Sequence, residues 1–306
     1  MSAPRVPREG ATIRIQAPAK INLALRVLDR REDGYHELDT LFQAISLSDE
    51  VLLTPREEAG AGLQVTGAEL GPVRENLALR AAHAWQAATG IDAGIEIRLA
   101  KRIPAGAGLG GGSSDAGAVL RGLEALHGSP LGPRRLGRLG ATLGADVPFF
   151  TGEAALARGR GVGDRLDPLP ALPPRQIIVA VPQRPVRTAA AYRWLAEART
   201  GVGSAPSLVL PDPLTWTAVD ELAQNDFHDV VARRVPEVAA LREELVDAGL
   251  EGVLLSGSGS ALFGFLPAGD REASLDRLRR IPGGAEIFEA STLPEIPPPG
   301  HEATSD

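Results

Sequence analysis

The segment KRIPAGAGLGGGSSDAGAVL, residues 101–120, sets glycines at 106, 108, 110, 111 and 112 between a strand-like run and a helix-like one. Such a loop keeps side chains away from a helix start, so main-chain N–H groups can converge on an anion where the helix already carries partial positive charge. Ser113 and Ser114 add hydroxyls able to cap the helix, meet a phosphate oxygen or ligate Mg2+. Phosphate binding is the natural reading. The Gly-Lys-Ser/Thr ending of a Walker loop is missing. Gly106, Gly108 and Gly111 do satisfy G-x-G-x-x-G, but no alternating β and α units of the doubly wound kind surround them. A turn without a ligand needs only one or two glycines, and each ordered glycine costs about 0.5–1 kcal/mol in entropy.

Of 32 basic residues only two are lysines, Lys20 and Lys101. A compact ammonium and a guanidinium fork are not interchangeable at a tight anion or hydroxyl, which singles both lysines out. In LGADVPFF, Asp146 stands between a glycine and an apolar run. It reads either as a helix cap or as a carboxylate held against a cation or hydroxyl, because an unpaired buried carboxylate is costly. Tyr35 and His36 in DGYHEL form a pair that in isolation reads as surface, and SGSGSALF, Ser256 to Phe263, reads as a second tight glycine turn. His83, His127, His228 and His301 have no metal-ligand spacing, so no protein metal site is expected.

The elements around these residues follow from periodicity. TIRIQAPAKINLALRVL alternates as strand, with Pro18 expected to interrupt it beside Lys20. ENLALRAAHAWQAATG carries apolar residues at helical spacing and stops on Gly90. Ile95, Ile97 and Leu99 alternate as a strand leading into the glycine loop, and Ala116, Val119, Leu120 and Leu123 share a helix face beyond it. ARGRGVGD reads as a polar hairpin loop. A passage rich in proline and glycine then precedes the buried-strand run IIVAVP, which sets a domain boundary near residue 170: 1–170 and 171–306. One long helical region is expected around NDFHDVVARRVPEVAALREELVDAG, and a disordered tail from about Pro294.

Composition narrows the class. With 306 residues and 43% hydrophobic content the chain can bury a large core, two domains being the better expectation. The absence of cysteine excludes disulfides, thiolate metal sites and a cysteine nucleophile. A net charge of −7 without basic clusters argues against nucleic acid as a partner. No apolar run is long enough for a membrane span or signal peptide, so a cytoplasmic protein, monomeric or weakly dimeric, is expected.

Together PAGAGLGGGSSDAG, APAKINLAL, DGYHEL, LGADVPFF and LSGSGSALF, in this order from about Ile13 to Phe265, resemble the GHMP kinase superfamily. Within it they are most similar to the branch whose acceptor is cytidine-diphosphate methylerythritol. The resemblance implies an α+β, two-domain GHMP kinase fold: an N-terminal ribosomal-protein-S5-domain-2-like part and a C-terminal ferredoxin-like α/β sandwich. It implies ATP and Mg2+ as cofactors, with the nucleotide on Pro104, Gly106, Gly108, Leu109, Gly110, Gly111, Gly112, Ser113 and Ser114, and Asn76 on the adenine side. No glutamate stands out as a Mg2+ ligand, which leaves the metal to phosphates, Ser113 or Ser114, and water. Asp146 becomes the base for an acceptor hydroxyl and Lys20 its partner. Tyr35 and Tyr192 would flank the cytosine and His36 read its edge, while Asn22, Lys101 and Thr188 meet the acceptor's hydroxyls and diphosphate. A kinase for homoserine or mevalonate is the near alternative, and a nucleotide-binding regulator without chemistry the distant one.

Overall fold

The computed structural model describes residues 12–69, 71–200, 205–281 and 284–301. In chain order the first half runs β1 (Ile13–Arg30), β2 (His36–Arg56), β3 (Ala61–Thr66), α1 (Leu77–Thr89), β4 (Gly94–Ala100), α2 (Gly111–His127), α3 (Gly132–Leu143), α4 (Val147–Thr151), β5 (Leu156–Gly161) and β6 (Arg165–Pro168). The second half follows with β7 (Gln176–Pro182), α5 (Thr188–Ala198), α6 (Trp216–Leu222), α7 (His228–Arg234), α8 (Pro236–Asp247), β8 (Glu251–Leu255), β9 (Leu262–Phe265), α9 (Arg271–Leu278), β10 (Ala285–Ser291) and β11 (Gly300–His301).

The β1–β2 hairpin organises the first half. Ile13, Ile15 and Ala17 point inward while Arg14 and Gln16 point out, as strand alternation requires. From Ala17 to Leu25 every residue is buried, because protein covers both faces of the strand there. Pro18 does not end the strand. Its missing N–H is accommodated by a register shift between Pro18 and Ala19, which re-aims Lys20. The first part of β2 pairs with β5 and its last part with β4, so one strand serves two edges of a seven-stranded sheet. Helices α1 and α2 close one face through Ala81, Trp85, Ala116, Val119 and Leu120. Trp85 Nε1 donates to Glu124 Oε1 at 2.7 Å, satisfying both polar groups where the helices meet.

The second half is a four-stranded antiparallel sheet in the order β10-β7-β9-β8. Val231, Val238, Leu241 and Leu245 bring α7 and α8 onto it. The helical region expected here is made of two helices, because Pro236 opens α8 at a position where a missing N–H is harmless. A third apolar cluster joins the halves, with Ile21, Leu41 and Ile45 against Ile177, Val179 and Phe263. The chain crosses between the sheets after Pro168 and before Gln176. No helix among the described residues is long and apolar enough to cross a membrane.

The tail corrects an expectation. From Pro294 to His301 it is ordered and straps the first half: Ile296 is 2% exposed beside Phe42, Phe149 and Phe150, and its amide donates to Glu153 O at 2.8 Å. Arg121 donates to Pro297 O at 2.6 Å, and β11 adds to β1. Four prolines and two charges in PEIPPPGHE hid a single apolar anchor from a compositional reading. Residues 302–306 lie outside the described residues. Ile296→Ala is therefore expected to lower the unfolding free energy by about 2–5 kcal/mol. Urea denaturation measures this, and a midpoint equal to the parent's would mean the strap is not held in solution.

Candidate active site

The glycine loop lies between β4 and α2 in the conformation that an anion cradle needs. Gly106, Gly108 and Gly110 have φ of +69°, +84° and +73°, the left-handed region that side-chain-bearing residues avoid. Among the described residues, no carbonyl or side chain accepts a hydrogen bond from the amides of Gly106 through Ser113. Gly110, at the N-cap of α2, offers no side chain to satisfy them. The Ser114 hydroxyl is buried and also without a partner. This donor set fits a polyphosphate. At Gly108 a Cβ would strike Ser256 O, so the second glycine turn packs directly on the first. Ser256 Oγ donates to Gly108 O at 3.0 Å and Ala261 N to Ala107 O at 3.0 Å. That turn is thus more than a bend between strands.

Lys20 is set by both loops. Its amide donates to Leu109 O at 2.9 Å, and its ammonium, 4% exposed as a residue, donates to Asn22 Oδ1 at 2.8 Å. Asn22 Oδ1 also accepts from Gly257 N at 3.0 Å, while its Nδ2 donates to Thr40 Oγ1 at 2.8 Å. Asn225 holds the far side of the turn by donating to Leu255 O and Gly257 O at 2.7 and 2.8 Å. Asp146 occupies the N-cap position of α4 but makes no side-chain cap bond, which removes its bland reading. Its Oδ2 is 3.7 Å from Lys20 Nζ, and its side chain is one-third exposed toward the cleft. A buried ammonium, anchored by Asn22, therefore faces a reachable carboxylate.

Both belong to a cleft of about 1220 Å³, which Gly108, Gly110, Thr188, Tyr35, His36 and Tyr192 also line. Burial, with the charge of Asp146 second, pushes the Tyr192 hydroxyl up to about 12, so its phenol stays neutral within electrostatic reach of that carboxylate. The aromatic end differs in detail from expectation. His36 stacks on Tyr192, centroids 5.1 Å apart at 26°, where a base was expected, and Tyr35 is 66% exposed. Phe227 supports Tyr192 edge-on at 4.8 Å. Burial, then Arg30 and Arg199, lowers the His36 pKa, keeping the ring neutral with one donor and one acceptor nitrogen. Thr188 Oγ1 pairs with Ser258 Oγ at 3.0 Å across the cleft wall.

Several expected residues do not line the cleft, among them Pro104, Gly106, Gly111, Gly112 and Ser113 of the loop. Lys101 does not reach the cleft: its ammonium is buried with Asp49 and Asp115 under the loop, because two interior carboxylates outcompete a distant anion. Asn76 is not among the residues lining the cleft, and it caps α1 by accepting from Ala78 N at 2.9 Å. Of the loop, Gly108 and Gly110 line the cleft, whereas Leu109 and Ser114 are buried. Sequence reasoning missed Phe42, Arg193, Phe227 and Ser258. Helical spacing could have found Arg193, since Thr188, Ala189, Tyr192, Arg193 and Ala196 share one face of α5. The others meet the cleft only through tertiary packing. Among the described residues no group of three or more His, Asp or Glu could hold a metal ion.

The pattern of the GHMP kinases N terminal domain matches residues 76–153, and that of the GHMP kinases C terminal domain matches residues 215–282. A 4-diphosphocytidyl-2-C-methyl-D-erythritol kinase of Geobacter metallireducens is 42% identical over 267 residues, 86% of this chain and 92% of the relative. One of Deinococcus radiodurans is 44% identical over 273 residues, 87% and 89% of the two chains. A crystal structure of 4-(cytidine 5'-diphospho)-2C-methyl-D-erythritol kinase superposes with a TM-score of 0.76 at 41% identity, covering 91% of this chain and 98% of that one. A homoserine kinase from Cytophaga hutchinsonii, at 19% identity and a TM-score of 0.68 over 95% and 97%, shares the fold.

Proposed function

We infer the chemistry from one premise: the chain belongs to the 4-diphosphocytidyl-2-C-methyl-D-erythritol kinases, a branch of the GHMP kinases. It is a phosphotransferase that moves the γ-phosphoryl group of ATP to the C2 hydroxyl of 4-diphosphocytidyl-2-C-methyl-D-erythritol, a step toward isoprenoid precursors. The observation that carries the reading is the Lys20–Asp146 pair, held at 3.7 Å in the cleft that Gly108 and Gly110 of the glycine loop also line.

Phosphoryl transfer asks little covalent work of the protein, so positioning and charge stabilisation supply most of the rate. The amides between Gly106 and Ser113 bind the triphosphate and orient it. Asp146 Oδ2 aligns the acceptor hydroxyl and takes its proton as the oxygen attacks. Lys20, fixed by Asn22, holds that carboxylate and meets charge developing on the transferred group. When bound, Mg2+ supplies further neutralisation of the phosphates; Ser113, whose hydroxyl faces Gly144 beside Asp146, is the protein group offered to it. At the other end of the cleft, neutral His36 and the Tyr192 face suit a cytosine, whose stacking is worth ~1–3 kcal/mol. A base that stacks on Tyr192 must take the place His36 holds, leaving that imidazole free to turn to the base edge.

A turnover assay with Mg·ATP tests this, with cytidine-diphosphate methylerythritol, homoserine and mevalonate offered in parallel. ADP should form with the first alone. Release of ADP with either other alcohol at a comparable rate would overturn the acceptor assignment. Lys20→Arg is expected to lose roughly 10²-fold in kcat, since a broader cation in a slot shared with Asn22 and Phe42 displaces Asp146. Steady-state kinetics near the parent rate would show that the compact ammonium is dispensable.

A further inference from the structure

The strap from Pro294 to His301 lies outside the cleft, yet it packs against the elements that carry both members of the Lys20–Asp146 pair. Asp146 stands at the start of α4, a helix of five residues, and a helix that short does not hold its own direction. The Asp146 side chain makes no cap bond to α4 either, so the carboxylate's place is set by what α4 packs against. Val147 meets α3, where a Cβ on Gly140 would come within 3.0 Å of it, and Phe150 meets α2 so closely that a Cβ on Gly117 would strike it. The strap supplies a third support. Ile296 completes the apolar cluster of Phe42, Phe149 and Phe150, and its amide donates to Glu153 O at 2.8 Å, two residues beyond the end of α4. Glu295 forms an antiparallel bridge with Ala154 beside it.

The same cluster underlies Lys20 and the glycine loop. The Phe42 ring is 5.4 Å from Lys20 Nζ, and Phe149 packs on Phe42 with 5.4 Å between centroids. A Cβ on Gly110 would stand 3.1 Å from Lys20 Cγ and 3.2 Å from the Phe150 ring, so the lysine stem, the loop and α4 meet at one point. The strap is fastened on both sides of Ile296. Before it, Leu293 N donates to Ala44 O and Gln43 Nε2 to Leu293 O, each at 2.9 Å. After it, Arg121 donates to Pro297 O at 2.6 Å. Gly117 and Arg121 lie one turn apart on the same side of α2, so one helix face receives both α4 and the strap.

We propose that Ile296 is a positioning residue for phosphoryl transfer: from outside the cleft it seats α4 and so fixes how far the Asp146 carboxylate stands from Lys20. The proposal rests on the reading of Asp146 as the base for the acceptor hydroxyl. Ile296 is not among the residues lining the cleft, so it acts only through its neighbours. Removing most of its side chain leaves a void beside Phe149 and Phe150, into which they and α4 settle. Asp146 then withdraws from a partner that it faces at 3.7 Å, while Lys20, held by Asn22, stays in place. Misplacing a catalytic group by about 1 Å costs up to ~10²-fold in rate, so even part of such a shift shows in kcat. The glycine loop is tied independently, by Ser256 to Gly108 O and by Ala261 to Ala107 O, which leaves nucleotide binding nearly untouched.

The test is a double-mutant cycle in steady-state kinetics on Ile296→Ala, Asp146→Asn and the two combined, at a temperature where circular dichroism shows every variant folded. Ile296→Ala should lower kcat roughly tenfold, with the KM for ATP little changed. In the Asp146→Asn background there is no base left to misplace, and the same change should lower kcat by less than about twofold. Ile296→Leu, of equal volume, should keep kcat near the parent's. A strap that served stability alone would leave kcat per folded molecule unchanged in both backgrounds. If Ile296→Ala does not fold, Ile296→Val runs the same cycle with a smaller loss, about two- to threefold. Equal losses of kcat in the two backgrounds, or no loss in either, would overturn the proposal and leave the base reading standing. Asp146→Asn turning over near the parent rate would overturn both.

Discussion

Asp146→Asn is expected to lower kcat by ~10²–10⁴-fold with the KM for ATP little changed. The substitution keeps the size of the side chain but removes the group that can accept the acceptor's proton. It also replaces the attraction of Lys20 by contact with a neutral amide, at a pair distance of 3.7 Å in a partly enclosed cleft. The Asp146 side chain makes no cap bond to α4, so fold stability should hardly move, and lost turnover can be assigned to chemistry. Steady-state kinetics on cytidine-diphosphate methylerythritol, paired with a thermal melt, measures both. Turnover within a few-fold of the parent would remove Asp146 from the base role and leave Lys20 and the glycine loop to account for the rate by positioning alone.

Lys101→Met should act in another way, on folding. Removing the ammonium leaves Asp49 and Asp115 facing each other in the interior, and breaking a buried pair in this manner typically costs about 3–5 kcal/mol. Against a total of about 5–15 kcal/mol for an ordinary protein, that is a large share. The expected outcome is a urea midpoint shifted far downward, or insoluble protein, with whatever enzyme remains folded keeping its KM for the acceptor. A soluble, fully stable variant with a raised acceptor KM would return Lys101 to the cleft, the position its resemblance to other GHMP kinases first implied.

Retaining both lysines in an arginine-rich chain has a common physical cause with two different expressions. Lys20 fills a narrow slot bounded by Asn22 and the Phe42 ring, 5.4 Å from the ammonium, with its charge directed at a reactive carboxylate. Lys101 fills an interior site between two carboxylates under a glycine. A planar fork would present a different set of donors at either place. Scarcity of lysine was therefore a sound pointer to two exacting positions, and it said nothing of whether the partner would be a substrate or the protein itself.

What could be read from residues in a row concerns local periodicity and backbone chemistry. Alternation at Ile95, Ile97 and Leu99, the helical face of α1, the stop at Gly90 and the run of loop glycines each follow from interactions a few residues long, so β4, α1, α2 and the left-handed glycine loop before α2 were legible. The ordered set of motifs brought in the family and with it Lys20, Asp146, Tyr192 and Thr188, all of which line the cleft. Tertiary structure alone decided the rest. It chose which anions surround Lys101, turned the His36 ring onto Tyr192, docked the second glycine turn on the first and buried Ile296 of the strap. Each of these joins groups separated by many residues, through burial and charge pairing whose strength depends on what else is excluded from water nearby. That dependence is a property of the packed interior, and no stretch of sequence carries it.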